Sequence, residues 1–203
     1  MKLYDGGRAP NPRRIRIFLN EKGIEVPLIP VDMAAMGHKS PEITALNPFQ
    51  RLPILELDDG TILTESVAIS RYFEELHPEP ALFGTGAVGK AQVEMWNRRV
   101  ELYLLAAVTA AFRHTHPAMA EWEIPQVPAW GEANRSKAEA YMKIMDDQLA
   151  RNEFIAGSAF SIADITLLVG VDFLKPARIQ IPEELISLRR WHGAVSNRPS
   201  AKA

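Results

Sequence analysis

An arginine and two histidines lie close together in the segment Phe112-Arg113-His114-Thr115-His116-Pro117, where a helix is predicted to end. Their side chains donate hydrogen bonds, so they could hold a water molecule or a thiolate and raise the local positive potential. The alternative is that cations simply favour the negative end of a helix dipole. His114 and His116 match neither the spacing of a helical metal-binding face nor a zinc motif, so no metal site is predicted.

The chain has no cysteine among its 203 residues. This excludes disulfides, zinc–thiolate sites and a protein thiol for covalent or redox chemistry, so any sulfur chemistry needs a bound small molecule. The formal net charge of −2 argues against a nucleic-acid partner and against recruitment to an anionic membrane. Because the sequence has neither a membrane-spanning apolar run nor a secretion signal, we expect a cytoplasmic location.

The first third of the chain predicts alternating strands and helices. Residues Lys2 to Tyr4 form a short predicted strand, and the helix that follows has Asn11 as its N-cap and Pro12 at its first position. Gly23 ends this helix, and the β-branched run from Val26 to Val31 predicts a second strand. Strand, helix and strand within about thirty residues form a right-handed parallel βαβ unit.

A hairpin and a third helix complete this region. The runs Leu52–Leu57 and Thr61–Leu63 are joined by Asp58-Asp59-Gly60, which is a typical hairpin turn. A helix is predicted from near Ser66, and the proline-rich His77-Pro78-Glu79-Pro80 ends it.

The remainder of the chain predicts helices only. One long helix is expected from Gly89 to about Thr115, and another from Trp130 to Arg151. Ser161-Ile162-Ala163-Asp164 is typical of a capping box that begins a further helix, and Pro182 is expected to begin the last one. The chain is therefore predicted to be α/β followed by all-α.

Three motifs, in this order and at these spacings, are similar to those of cytosolic glutathione S-transferases: Asn47-Pro48-Phe49-Gln50-Arg51-Leu52-Pro53, Glu65-Ser66 and Ser161-Ile162-Ala163-Asp164. The resemblance covers nearly the whole chain. It implies an N-terminal thioredoxin-like domain at residues 1–77 that binds glutathione, a linker at 78–88, and an all-helical bundle domain at 89–203 that carries an electrophile pocket.

The resemblance also implies which residues bind glutathione. The family's proline at the Pro53 position is cis, and the turn would expose the backbone of Leu52 to pair with the cysteinyl part of the tripeptide. The backbone N–H and hydroxyl of Ser66 would bind the γ-glutamyl carboxylate, and Glu65 would accept from the ligand's ammonium group. Taken alone, Pro53 could simply begin a strand, and Glu65 and Ser66 could simply begin a helix, with Ser66 as a capping hydroxyl.

Arg51 and His38 are expected in loops that face the same groove, where they would hold the glycyl carboxylate. The alternative for each is a solvated basic residue. Ser161 and Asp164 resemble the family's folding signature and are interpreted as structural.

The sequence departs from the family where a Tyr, Ser or Cys usually stabilises the glutathione thiolate. The loop reads Arg8-Ala9-Pro10-Asn11-Pro12-Arg13, and Tyr4 lies inside the predicted strand. Asn11 could donate its amide N–H to the sulfur, in addition to or instead of capping the helix. A subset of the family lacks the hydroxyl and uses a water held by the helical domain, which makes His114 and His116 further candidate catalytic residues.

Losing that hydroxyl weakens catalysis without abolishing it. An unperturbed thiol has a pKa of about 8.5, so roughly 3% is thiolate at pH 7. Complete ionisation therefore gains only about thirtyfold in reactive thiolate, which is less than proximity to a bound electrophile can contribute.

The electrophile pocket is expected to include Phe112, Met119, Trp122 and Trp130, although aromatic residues at helical spacing are more often core. Phe49 resembles the family's exposed wedge at a homodimer interface; the alternative is that it lies under its own loop.

The predicted function is conjugation of glutathione, a co-substrate with no further cofactor, to small hydrophobic electrophiles in detoxification. Reduction of organic hydroperoxides is a further candidate activity. The alternative is a non-catalytic regulatory or partner-binding protein of the same fold.

Overall fold

The computed structural model describes residues 1–203, which form two compact units. The first unit contains Met1–Leu82 together with Pro199–Ala203, and the second contains Phe83–Arg198. The division between Leu82 and Phe83 falls inside the predicted linker at 78–88, whereas the last five residues, predicted within the helical domain at 89–203, belong to the first unit with the predicted domain at 1–77.

The first unit is a four-stranded mixed sheet with helices. Its elements are β1 (Lys2–Asp5), α1 (Pro10–Lys22), β2 (Leu28–Pro30), α2 (Pro41–Leu46), β3 (Ile54–Glu56), β4 (Ile62–Thr64) and α3 (Ser66–Leu76). The strand order in the sheet is β2-β1-β3-β4. Strands β1 and β2 are parallel, whereas β3 is antiparallel to both β1 and β4. The thioredoxin-like domain and its hairpin are therefore confirmed.

Helix α1 begins two residues earlier than predicted. Its N-cap is Ala9 and its first residue is Pro10, so the prediction of Asn11 as N-cap and Pro12 as first helical residue was wrong. Proline is suited to the first helical position because its φ is fixed and its missing N–H has no intrahelical partner there. Ala9 adopts the extended conformation (φ −63°, ψ 143°) that a residue before proline favours.

The second unit is all-helical, as predicted. Its helices are α4 (Gly86–Arg99), α5 (Ala106–Thr115), α6 (Pro128–Leu149), α7 (Ile162–Asp172) and α8 (Ile186–Ser196). The predicted long helix is interrupted by a π-helical segment, Val100–Leu105, between α4 and α5. The predicted start of the last helix at Pro182 was wrong, because α8 begins at Ile186. Pro182 lies in a turn before it, where its carbonyl accepts from the N–H of Leu185 (3.2 Å). No helix combines the length and the apolar character needed to cross a membrane.

The capping box at the start of α7 is confirmed. The Asp164 carboxylate accepts from Ser161 (N–H, 3.1 Å; Oγ, 3.0 Å), from the N–H of Ile155 (2.9 Å) and from Nε1 of Trp191 (3.0 Å). Burial raises the pKa of Asp164 to about 6, although these hydrogen bonds act in the opposite direction. Asp164 thereby joins α7 to α8.

Candidate functional site

The sheet register brings the two predicted glutathione-binding motifs together. Ile54 of β3 is paired with Tyr4 of β1 on one side and with Thr64 of β4 on the other. The motif Leu52-Pro53 directly precedes β3, and Glu65-Ser66 directly follows β4. Because these strands are antiparallel, both motifs lie at the same end of the sheet.

The loop after β1 lies at this end as well. A Cβ atom added to Gly6 would be 3.1 Å from Pro12 and 3.2 Å from the Leu52 side chain, so the loop passes closely between them. Asp5 holds this loop by accepting from the N–H of Gly7 (2.9 Å) and by pairing with Arg16. The start of α1 is therefore fixed beside Leu52.

Leu52 offers an open stretch of main chain. The Leu52–Pro53 peptide bond is cis, as the resemblance implied, and neither the N–H nor the C=O of Leu52 has a hydrogen-bond partner within the chain. Asn47, which is buried, holds this loop by donating to the carbonyl of Arg51 (2.9 Å) and accepting from the N–H of Phe49 (3.1 Å). An extended peptide could pair with Leu52 as an added strand does.

The N-terminus of α3 presents unpaired donors. The first intrahelical hydrogen bond runs from the N–H of Ile69 to the carbonyl of Glu65 (2.9 Å), so the three preceding N–H groups, beginning with Ser66, have no helical partner. Glu65 is the N-cap of α3 and Ser66 is its first helical residue, so the alternative role of Ser66 as the capping side chain is wrong. These donors and the helix dipole favour a bound carboxylate.

Glu65 has a left-handed backbone conformation (φ 66°, ψ 114°), which is unusual for a residue other than glycine. Such strained conformations persist only where the surrounding structure imposes them, and they are concentrated at functional sites. The Glu65 side chain is exposed beside the start of α3. It is therefore placed to accept from a cation that accompanies a carboxylate bound there.

His38 and Arg51 provide different groups. His38 is buried, and desolvation, followed by the charges of Lys39 and Arg51, lowers the pKa of its imidazole. Arg51 is exposed, and its guanidinium donates to the carbonyl of Gln50 (3.3 Å). An anion bound in this region would therefore interact with the positive charge of Arg51 and with the neutral ring of His38.

Asn11 is the source of hydrogen-bond donors at the N-terminus of α1. Pro10 and Pro12 lack an N–H, so within the first three helical residues only Asn11 can donate from the backbone. The Oδ1 atom of Asn11 accepts from the guanidinium of Arg14 (3.2 Å), which leaves Nδ2 as a second donor. The Tyr4 hydroxyl donates to Glu56 (2.8 Å) and is thereby engaged within the sheet.

The two histidines of the helical unit have different environments. Nδ1 of His114 accepts from the N–H of Val127 (3.1 Å), and its Nε2 lies 3.7 Å from Glu123. Nδ1 of His116 accepts from the N–H of Ala118 (3.2 Å), which places the ring proton on Nε2. His114 therefore stabilises the segment before α6 through this hydrogen bond, whereas His116 has its Nε2–H available as a donor.

The residues predicted for the electrophile pocket also differ in their surroundings. The half-buried ring of Phe112 packs against Phe173 (5.1 Å between centroids) and His116 (4.8 Å). Trp130 is 48% exposed and lies under the ammonium group of Lys137 at 4.7 Å, which is typical of a solvated helix face. Met119 and Trp122 are partly exposed near the end of α5. Two cavities of this unit, of about 720 and 510 Å³, are lined by other residues.

Comparisons with known proteins decide the family. The glutathione S-transferase N-terminal domain model matches residues 9–76, and the C-terminal domain model matches residues 128–194. Glutathione S-transferase 2 of Saccharomyces cerevisiae is 38% identical over 205 residues, spanning 100% of this chain and 88% of its own. The chain belongs to the glutathione S-transferase family. Its similarity to named transferases over the full length supports a glutathione S-transferase enzyme.

Solved structures agree with this transferase fold. A glutathione S-transferase domain-containing protein from Marinobacter aquaeolei is 39% identical, with a TM-score of 0.94, over 98% of this chain and 99% of its own. Gtt2 from Saccharomyces cerevisiae is 38% identical, with a TM-score of 0.95, over 100% and 99%. The two-domain fold is therefore shared with transferases.

Two residues of this transferase were given no individual role by the sequence. Asn47 lies in a quoted motif, and only the structure shows that its amide supports the loop before Leu52. Arg14 is a charged residue with 0% exposure in α1. The sequence signal for a contact between the two side chains is the spacing of three residues from Asn11, which places them on the same face of a helix.

Proposed function

We propose that this transferase joins the thiol of glutathione to small hydrophobic electrophiles. One observation carries the proposal: the unbonded backbone groups of Leu52 and the unbonded N–H groups at the start of α3 lie at the same end of the sheet. A tripeptide with an α-carboxylate at one end and an amide-rich centre complements both features.

Each part of glutathione has a proposed partner. The cysteinyl backbone pairs with the N–H and C=O of Leu52, beside Pro53. The γ-glutamyl carboxylate binds the N–H and hydroxyl of Ser66, and its ammonium group binds Glu65. The glycyl carboxylate binds Arg51, with His38 as a neutral neighbour. The tripeptide is thus held along its backbone, with its thiol free to react.

Asn11 is proposed to take the role of the missing hydroxyl in stabilising the thiolate. Its backbone N–H and Nδ2 are hydrogen-bond donors, and the positive end of the α1 dipole favours a thiolate. His116 is the stronger of the two histidine candidates for holding an activating water, because both ring nitrogens of His114 face groups of their own unit. The thiolate then attacks the electrophilic carbon and forms a thioether bond. In a substitution the leaving group departs with its bonding electron pair, and in an addition the π-electron pair shifts onto the acceptor atom, which then takes up a proton.

Reduction of organic hydroperoxides is a second proposed activity of the same thiolate. The sulfur attacks the peroxide oxygen, the O–O bond breaks, and an alcohol leaves with glutathione sulfenic acid. A second glutathione then gives the disulfide and water. Phe112, Met119 and Trp122 are the proposed apolar contacts of either substrate.

A homodimer is also proposed. Phe49 is 77% exposed, which excludes burial under its own loop, and Leu102 and Tyr103 of the π-helical segment are 56% and 51% exposed. Exposed apolar side chains of this size are typical of subunit contacts. Roles in detoxification and a cytoplasmic location stay predictions.

Glutathione and S-methylglutathione, which lacks the thiol, together test the main proposal. Both should raise the midpoint of thermal unfolding, because each binds only the folded state. Only glutathione should support turnover of a halonitrobenzene, and oxidised glutathione should accumulate with an organic hydroperoxide. Absence of any midpoint shift with either tripeptide would refute the proposed site. Binding without turnover would favour the non-catalytic alternative.

A further inference from the structure

We infer that Arg14 is a positioning residue for thiol activation: it holds Oδ1 of Asn11 so that Nδ2 is presented to the glutathione sulfur. The inference rests on the proposed function, since it concerns the same site. It assigns a functional reason to a charged side chain in the interior of the first unit.

The burial of Arg14 is the first observation. Arginine is rarely fully buried, yet Arg14 has 0% exposure and is among the largest fully buried side chains. Its neighbours on α1 include Ile15, Ile17 and Phe18, which are also buried. A buried charged group together with its partners is often replaceable by well-packed apolar side chains without loss of stability, so filling the interior does not by itself require an arginine here.

The direction of the hydrogen bond is the second observation. A guanidinium only donates, so the atom of Asn11 that it contacts at 3.2 Å must be the oxygen. Asn11 itself is exposed at the start of α1, where a free amide would rotate and present either atom. With Arg14 holding the oxygen, the amide presents its N–H₂ group instead, and N–H donors stabilise a thiolate whereas an oxygen would repel it.

The scarcity of other donors is the third observation. Because Pro10 and Pro12 supply no N–H, the first turn of α1 lacks most of the backbone donors that a helix N-terminus normally offers an anion. The Nδ2 group of Asn11 partly replaces them. Its orientation therefore has more influence on the thiolate than it would in a helix without these prolines.

Arg13 provides a matched control. It is the adjacent arginine on the same helix, but its guanidinium donates to the carbonyl of Ala201 (2.8 Å) in the C-terminal segment. Arg13→Met removes the same charge, one residue away, without changing the contact to Asn11. A difference between the two variants thus measures the contact and not the charge alone.

The test measures the thiolate absorbance of enzyme-bound glutathione against pH, with kcat and KM, in Arg14→Met, Arg14→Lys, Asn11→Ala, the double variant Asn11→Ala/Arg14→Met and Arg13→Met. Arg14→Met should raise the apparent pKa of the bound thiol by about one unit, which means about tenfold less thiolate and a similar fall in kcat at pH 7. KM for glutathione should stay within about twofold, because other residues anchor the tripeptide. Arg14→Lys should raise the thiol pKa and lower kcat less than Arg14→Met does.

Non-additivity decides the result. Asn11→Ala should reproduce the effect of Arg14→Met, and the double variant should be no worse than either single variant. Asn11→Asp keeps an oxygen for Arg14 but replaces Nδ2 by a second oxygen, so it should raise the thiol pKa further than Asn11→Ala does. This variant retains a residue that suits a helix N-terminus, and it tests the inference even if Arg14→Met does not fold.

Additive single effects, an effect of Arg13→Met equal to that of Arg14→Met, or a thiol pKa unchanged by Asn11→Asp would overturn the inference. Failure of the proposed function has a different signature, because the unmodified protein would then show no saturable glutathione binding at all.

Discussion

Replacing Ser66 with alanine should separate ligand binding from folding. Ser66 is the first residue of α3 and not its N-cap, so its hydroxyl does not cap the helix, and Ser66→Ala should change the free energy of unfolding by no more than about 0.5 kcal/mol. A hydrogen bond to a carboxylate contributes about 1.5–3 kcal/mol. Because the backbone N–H of residue 66 remains, we expect the lower end of that range, which is about a tenfold rise in the Kd of glutathione.

Ser70, one turn later on α3, is the matched control. Its hydroxyl is fully buried and donates to the carbonyl of Ser66 (2.8 Å), away from solvent. Ser70→Ala should therefore leave glutathione affinity unchanged. Calorimetric titration gives both affinities, and urea unfolding gives both stabilities. Equal affinities for Ser66→Ala and the unmodified protein would refute the assignment of the γ-glutamyl carboxylate to this helix N-terminus.

Three further predictions concern stability. The folded-state pKa of Asp164 lies above its usual 3.8, so this group stabilises the protein most below pH 4. About 3 kcal/mol of the free energy of unfolding should be lost as the pH rises through about 6. The urea midpoint of Asp164→Asn should lack this pH dependence. Lys22, whose amine is fully buried, donates to the carbonyls of His77 (2.7 Å) and Pro80 (2.5 Å) and pairs with a buried glutamate, so Lys22→Met should cost about 3 kcal/mol or more in urea unfolding. A Cβ on Gly131 would lie 2.4 Å from a side-chain carbon of α5, so Gly131→Ala should destabilise by about 1–3 kcal/mol, whereas Gly193→Ala, with nothing within 4 Å, should not; thermal unfolding of both variants checks this.

Local signals in the sequence predicted most elements. The turn Asp58-Asp59-Gly60 defined the hairpin, and the capping box at Ser161 and Asp164 defined the start of α7. Both signals depend mainly on residues only a few positions apart, so they can be recognised without knowledge of the rest of the fold. The candidate glutathione-binding motifs were predicted differently, from the resemblance of their residue types and order to those of a known family.

Competing local signals were less informative. Pro10, Asn11 and Pro12 each favour a helix start, and the sequence alone selected the wrong pair. The π-helical segment at Val100–Leu105 has no breaker residue, so its hydrophobic pattern predicted an uninterrupted helix. In such cases packing between elements chooses among local conformations of similar free energy.

The sequence by itself determined the order of the elements, the absence of a protein thiol and the residue types available to bind a tripeptide. Only the tertiary structure decided that Arg14 is buried against Asn11, that His114 is fastened to Val127 and that Arg13 binds the carbonyl of Ala201. Burial and hydrogen-bond partners depend on segments that can be far apart in the chain, as Arg13 and Ala201 are. A short stretch of sequence carries no information about a partner that it meets only after folding.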